Sequence, residues 1–235
     1  MNKHYAYNSP FKMKDADGNE YTLTVEYDEC AMDPREWDNV CTMVCWHRSY
    51  RLGDRHKYDD SDEFFNDLLY RICGMHPDDY EDLPTRDKYK LACESDKLVI
   101  KPINMYEHSG ITVSTSNGYP YNDRWDAGCV GFIYVTKEQV LAQLHGVAEE
   151  HWKNLANNII ENEMETYDQY VRGEVYWYRL TKKVIEQDLC PHCGEVIREY
   201  EEEEEIDACG GFYGDCLEEN GILHSLPNDI EFAED

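Results

Sequence analysis

Cys190 and Cys193 stand two residues apart in the segment CPHCG, ahead of Gly194, which is free to take a positive φ. On such a tight turn both thiolates can reach one tetrahedral Zn²⁺, and zinc is the cofactor the spacing predicts. Two further ligands are needed. One pair is Cys209 and Cys216 in CGGFYGDC; the other is Cys73 and His76 in RICGMHPDDY, which repeats the two-residue spacing. If the turn caps a regular hairpin, Cys209, sixteen residues past Cys193, lies about 50 Å from the tip at roughly 3.3 Å per residue. Cys73 and His76 sit just past a helix end in a loop able to move, so Cys190, Cys193, Cys73 and His76 are slightly favoured as the set. No open coordination position or adjacent base is evident, and the zinc is expected to be structural.

A second group of residues has the types of a hydrolase. CTMVCWHRSYRLGDRH supplies Cys41, Cys45, His47, Asp54 and His56, and downstream segments supply His108, Ser109 and Asp126. Strand alternation would put Cys45 and His47 on one face, a nucleophile beside a base. A cysteine on a strand is more often a small buried hydrophobe, and His108 next to Ser and Gly is commonly a turn residue. There is no Gly-rich phosphate loop, GxSxG elbow or HExxH helix. No catalytic residue is therefore expected, and a hydrolase built on Cys45, His47, His108 and Asp126 is the alternative.

Seven residues past Gly194 begins a run of glutamates, Glu201, Glu202, Glu203, Glu204 and Glu205. Charge runs are generally solvated, and alternation along a strand would put both faces of this one in water. Its functional reading is a surface for a basic partner. The whole chain has 22 Lys and Arg against 50 Asp and Glu, a net charge of −28, which makes direct nucleic-acid contact and anionic membranes unfavourable and cationic protein surfaces favourable. A compact chain of this length is about 45 Å across, and B-DNA carries about 26 charges over that distance. The totals are alike, so DNA mimicry follows if one face concentrates the charge. Nineteen tyrosines add rigid amphipathic contact area.

The 235 residues, 41% of them hydrophobic, suffice for a real core and one domain spanning 1–235. With no apolar h-region in MNKHYAYNSPFKMK and no long apolar run, neither a signal peptide nor a membrane span is expected. Ten cysteines then read as thiols and metal ligands of a cytoplasmic protein rather than as a disulfide framework. Period-two alternation predicts strands at Tyr21 to Glu29, Thr42 to His47, Lys97 to Tyr106, Ile111 to Thr115 and Cys129 to Val135. Phe64, Phe65, Leu68, Leu69 and Ile72 repeat at helical spacing. Thr136 and Gln139 form a capping box, and Trp152, Leu155, Ile159, Met164, Tyr167 and Val171 make a stripe on a helix from about Val147 to Val171, closed by Gly173. The segments around CPHCG read as a long C-terminal β-hairpin, about 174–209, with the zinc knuckle at its tip. The fold class is α+β: one mostly antiparallel sheet with two or three packed helices.

The blocks REWDNVCTMVCWHRSYRLGD, MYEHSGITVSTS, RWDAGCVGFIYVTKEQV, ETYDQYVRGEVYWYRL and CGGFYGD, spread over residues 34 to 216, resemble a family of acidic, largely uncharacterised accessory proteins of phages and mobile elements in low-GC bacteria. Relative to its plainer members, the segments with Cys73 and His76 and with Cys190 and Cys193 look like insertions, which the resemblance implies meet at one metal. Acidic accessory proteins of this source resemble inhibitors of host defence nucleases, among them anti-CRISPR proteins that bind the RNA-guided effector of type II systems. The resemblance thus implies a cytoplasmic inhibitor, in the bacterial host, that occupies the effector's basic surface and blocks target DNA loading, with an acidic adaptor lacking a nuclease target as a further alternative.

Overall fold

Alternating and helical apolar spacings fix most of the elements. The computed structural model of the chain describes residues 3–116, 127–143 and 149–233. In chain order the strands are β1 (Phe11–Asp15), β2 (Glu20–Tyr27), β3 (Thr42–Cys45), β4 (Leu98–Glu107), β5 (Ile111–Ser114), β6 (Ala127–Thr136), β7 (Val175–Leu189), β8 (Val196–Tyr213) and β9 (Ile230–Phe232). The helices are α1 (Ser61–Leu68), α2 (Thr85–Glu94), α3 (Lys137–Gln143), α4 (Trp152–Val171) and the single turn α5 (Ile222–Ser225). The protein is α+β.

Where one sheet is expected from the sequence, there are two. One has the order β8-β7-β2-β1-β9 and the other β3-β6-β4-β5, and every pairing is antiparallel. Alternation marks a strand but not its partner: β2 pairs across 150-odd residues with β7, Tyr27 opposite Tyr176 and Tyr21 opposite Lys182, and residues 33–172 are inserted between them. The contacts accordingly divide the chain, expected as a single domain, into two compact units, Met1–Met32 with Gly173–Asp235, and Asp33–Arg172.

In the inserted unit the four-stranded sheet is covered on both faces. Met43, Cys45, Ile103, Met105, Ile133 and Val135 pack with α3 and α4, while Val44, Ile100, Phe132 and Tyr134 pack with Phe64, Phe65 and Leu68 of α1 and Ala92 of α2. That is why three consecutive β3 residues are buried. The capping box opens α3, Thr136 N donating to Gln139 Oε1 at 2.9 Å and Gln139 N to Thr136 Oγ1 at 3.2 Å. On α4 the buried line is Trp152, Ala156, Ile160, Met164 and Tyr167; Leu155 and Ile159 flank it, half-buried. The expected start of this helix near Val147 lies outside the described residues, and Gly173 follows it at φ +73. In the other unit Leu23, Val25, Tyr176, Tyr178, Leu180 and Leu217 form the core. No described helix is long and apolar enough to cross a membrane.

Candidate functional site

Strands β7 and β8 form the expected hairpin, paired from Val175 opposite Tyr213 to Leu189 opposite Val196. The last β2 partner on β7 is Lys182, so the seven residues Lys183 to Leu189 are paired with β8 alone. At roughly 3.3 Å per residue this two-stranded arm extends about 23 Å past the last β2 pairing. From Lys182 to Glu205 the arm has three cations and nine anions, a net −6.

Glu201 to Glu205 lie on this arm and all five are exposed. Their register partners are Ile185, Val184, Lys183, Lys182 and Thr181 in turn, so pleating divides them, Glu201, Glu203 and Glu205 to one face and Glu202 and Glu204 to the other. Some of the charge is already answered. Lys183 Nζ lies 2.9 Å from Glu201 Oε1, which holds the ammonium above its ordinary pKa, and Thr181 donates to Glu203 at 3.2 Å. Glu201, Glu202 and Glu203 are also among the residues lining a cleft of about 540 Å³, together with Lys12 and Lys14.

At the tip, Gly194 has φ +74. Its N–H donates to the Cys190 carbonyl at 2.8 Å, and Cys190 N donates to Glu195 O at 2.7 Å. Hydrogen bonds to the Cys190 sulfur from the backbone amides of His192 and Cys193, and from the Cys193 thiol, lower the pKa of Cys190. Cys193 Sγ is 3.6 Å from Glu195 Oε2. The turn thus presents two sulfurs side by side, which fits half of a tetrahedral zinc site.

The expected completing residues are elsewhere in the chain. Cys209 pairs opposite Tyr178, eleven residues before Leu189 and so about 36 Å from the tip. Cys216 is buried and bridges Tyr5. Cys73 ends the π-helical turn Leu69–Cys73 and is half-buried, its thiol pKa raised by that burial. His76 is exposed, its Nδ1 accepting from Asp78 N at 3.4 Å as the cap of the turn Pro77–Asp79. Both belong to the inserted unit, so the four-residue set is not a feature of either unit by itself. Among the described residues no three His, Cys, Asp or Glu side chains form a metal-binding group.

The hydrolase residues have other occupations. Cys45 is buried, which with the Asp54 charge pushes its thiol up to about 12; burial likewise raises Cys41. His47 falls beyond the end of β3 and accepts at Nδ1 from the backbone amides of Ser49 and Tyr50. A carbonyl only accepts, so His56 Nε2 donates to Cys45 O at 2.9 Å. Its Nδ1 is buried and unpartnered. His108 and Ser109 form the β4–β5 turn, His108 N donating to Gly110 O and Ser109 at φ +59. Asp126 lies outside the described residues. The loop from Cys45 to His56 lines an open cleft of about 840 Å³.

What anchors this loop is a buried ion cluster that no sequence motif marks. Arg35, its side chain 3% exposed, donates from Nε and Nη2 to Asp54 at 2.8 and 3.0 Å, from Nη1 to Glu163 at 2.8 Å and from Nη2 to the Cys41 carbonyl at 2.8 Å. Burial alone would lower the guanidinium pKa, but the bonds to Asp54 and Glu163 outweigh it and raise it. Both carboxylates also accept backbone amides: Asp54 from Met43, and Glu163 from Val40 and Cys41. Asp54 is therefore a structural clamp, and no local pattern links Arg35 to a glutamate 128 residues away. Compared with known protein families, curated proteins and solved structures, the chain matches none.

Proposed function

We propose that this chain is an acidic binding protein that offers the β7–β8 arm to a basic protein surface, and that this surface belongs to a bacterial defence nuclease. The observation that carries the proposal is the arm: a net −6 on a strand pair with all five glutamates in solvent. A nucleic-acid channel is a basic surface that such charge fits, and the channel of the type II RNA-guided effector is strongly basic. The resemblance of the sequence blocks points to the same target. Occupying that channel would block target DNA loading, with no direct nucleic-acid contact and no chemistry by this chain, in the cytoplasm of the bacterial host.

Zinc at Cys190 and Cys193 would hold the tip of an arm that is otherwise marginal, since an isolated two-stranded hairpin is barely stable in water. An arm ordered in advance loses less conformational freedom on binding. Charge steers the encounter, so association slows as salt rises. The test is capture of a panel of purified defence nucleases, followed by target-DNA binding by the captured nuclease with the wild type and with Glu201 to Glu205 all changed to Lys. Capture of the type II effector, lost on charge reversal and weakened from about 0.05 to 0.5 M salt, is expected. Unchanged inhibition by the reversed arm would place the interface elsewhere, and capture of no nuclease would favour the acidic adaptor.

A further inference from the structure

We infer that the Cys190–Cys193 turn is one half of a zinc site completed by the same turn of a second copy, so that two chains join tip to tip through one Zn²⁺ held by four thiolates. This rests on the reading that zinc binds at these cysteines. Tetrahedral structural zinc takes four ligands, and the turn supplies two. Cys209 is about 36 Å back along the arm, and although Glu195 Oε2 lies 3.6 Å from Cys193 Sγ, among the described residues no three His, Cys, Asp or Glu side chains form a metal-binding group. A two-fold axis through the metal presents the same pair twice, the self-complementary contact of a symmetric dimer.

Three independent features of the arm suit this occupant. First, the apolar side chains Ile185, Leu189, Val196 and Ile197 are 68%, 55%, 47% and 66% exposed and all lie within eight residues of a ligand cysteine. Leu189 and Val196 are register partners directly behind the turn. Large aliphatic groups so placed on a strand pair are unfavourable in water and are covered when a like arm packs against them. Second, both edges of the arm are open to pairing, because β8 is the outer strand of its sheet and β7 has no β2 partner beyond Lys182. Third, the length of the arm limits repulsion. With two arms end to end, the five-stranded sheets lie about 46 Å apart, several times the screening length of roughly 8 Å at physiological salt, so the charge of those sheets is screened at the contact and the repulsion there comes from the net −6 of each arm. Binding displaces the thiol protons to solvent, leaving Zn²⁺ with four thiolates and no change of oxidation state.

The full chain, reduced with a phosphine and stripped of metal, is titrated with ZnCl₂ while molar mass is followed by light scattering and bound metal by elemental analysis. The mass is expected to double from 27.7 kDa and to plateau at one zinc per two chains. A chelator should return it to the monomer. Cys193→Ser should stay monomeric without tight zinc while keeping the wild-type circular dichroism. Cys73→Ser and His76→Ala should dimerise as the wild type does, and Ile185→Asp with Ile197→Asp should weaken the dimer by ten-fold or more. One zinc per chain in a monomer overturns the shared site and leaves zinc binding itself standing, the more so if Cys73→Ser abolishes it. Absence of tight zinc overturns both.

Discussion

Replacing Arg35 by Met tests whether the ion cluster behind the 45–56 loop holds that unit together. The substitution removes four hydrogen bonds, three to carboxylates and one to the Cys41 carbonyl, and fills the space with an unbranched apolar side chain. Asp54 and Glu163 keep their three backbone donors but lose their counter-charge. Removing one partner of a buried ion cluster costs about 3–5 kcal/mol. Because the Asp54 and Glu163 side chains retain 25% and 15% exposure, the low end applies, about 3 kcal/mol. For a unit of this size that lowers Tm by about 10 °C, read by circular dichroism at pH 7. Arg35→Lys keeps the charge without the planar fork and should lose about half as much. The triple variant Arg35→Met, Asp54→Asn, Glu163→Gln should recover most of the loss, because the cost lies in stranded charge rather than in a missing attraction. A drop of less than about 2 °C for Arg35→Met, or a triple variant no better than the single, would refute the assignment.

A second buried cation gives a pH-dependent prediction. Lys88 is 1% exposed and its Nζ lies 2.8 and 2.9 Å from the oxygens of Asp62, and that bond is the chief cause holding the Asp62 carboxyl below its ordinary pKa. A carboxyl depressed on folding stabilises fully above its unfolded value near 4 and loses that contribution as pH falls through the folded value. Asp62→Asn should therefore cost about 1.5 kcal/mol at pH 7, a figure reduced for the partial exposure of Asp62, and the gap from the wild type in urea melts should close below about pH 4. Thiol chemistry supplies another: Cys45, pushed up to about 12, and Cys41 should resist iodoacetamide at pH 7.5 in the folded protein while the exposed Cys30 is modified, as mass spectrometry of tryptic peptides would show. Preferential modification of Cys45 would instead revive the hydrolase.

The elements themselves were legible in the sequence, because burial on one face writes a period into the chain. Five predicted strands, the capping box at Thr136 and Gln139, the stop at Gly173 and the long hairpin with CPHCG at its tip follow from alternation, cap chemistry and the positive φ that Gly194 takes. The short strands β1 and β9 and the helix α2 carry too weak a period to be read; α2 has a single pair of fully buried residues, Lys88 and Ala92, one of them charged. The exposure of Glu201 to Glu205 was likewise foreseeable, since five like charges in succession have no face to bury.

What tertiary structure alone decided is which periods meet. Pairing of β2 with β7 around an inserted unit, and hence two sheets in place of one, depends on contacts between segments far apart in the chain, and alternation is identical whichever partner a strand takes. The same limit hid Arg35, whose partners Asp54 and Glu163 are 19 and 128 residues away. It also governed the cysteines. Spacing identifies Cys190 and Cys193 as a pair of ligands because two residues on one turn share local geometry, whereas a ligand pair completing the site is a matter of position in space, which neither the repeat of the spacing at Cys73 and His76 nor the nearness in sequence of Cys209 can convey.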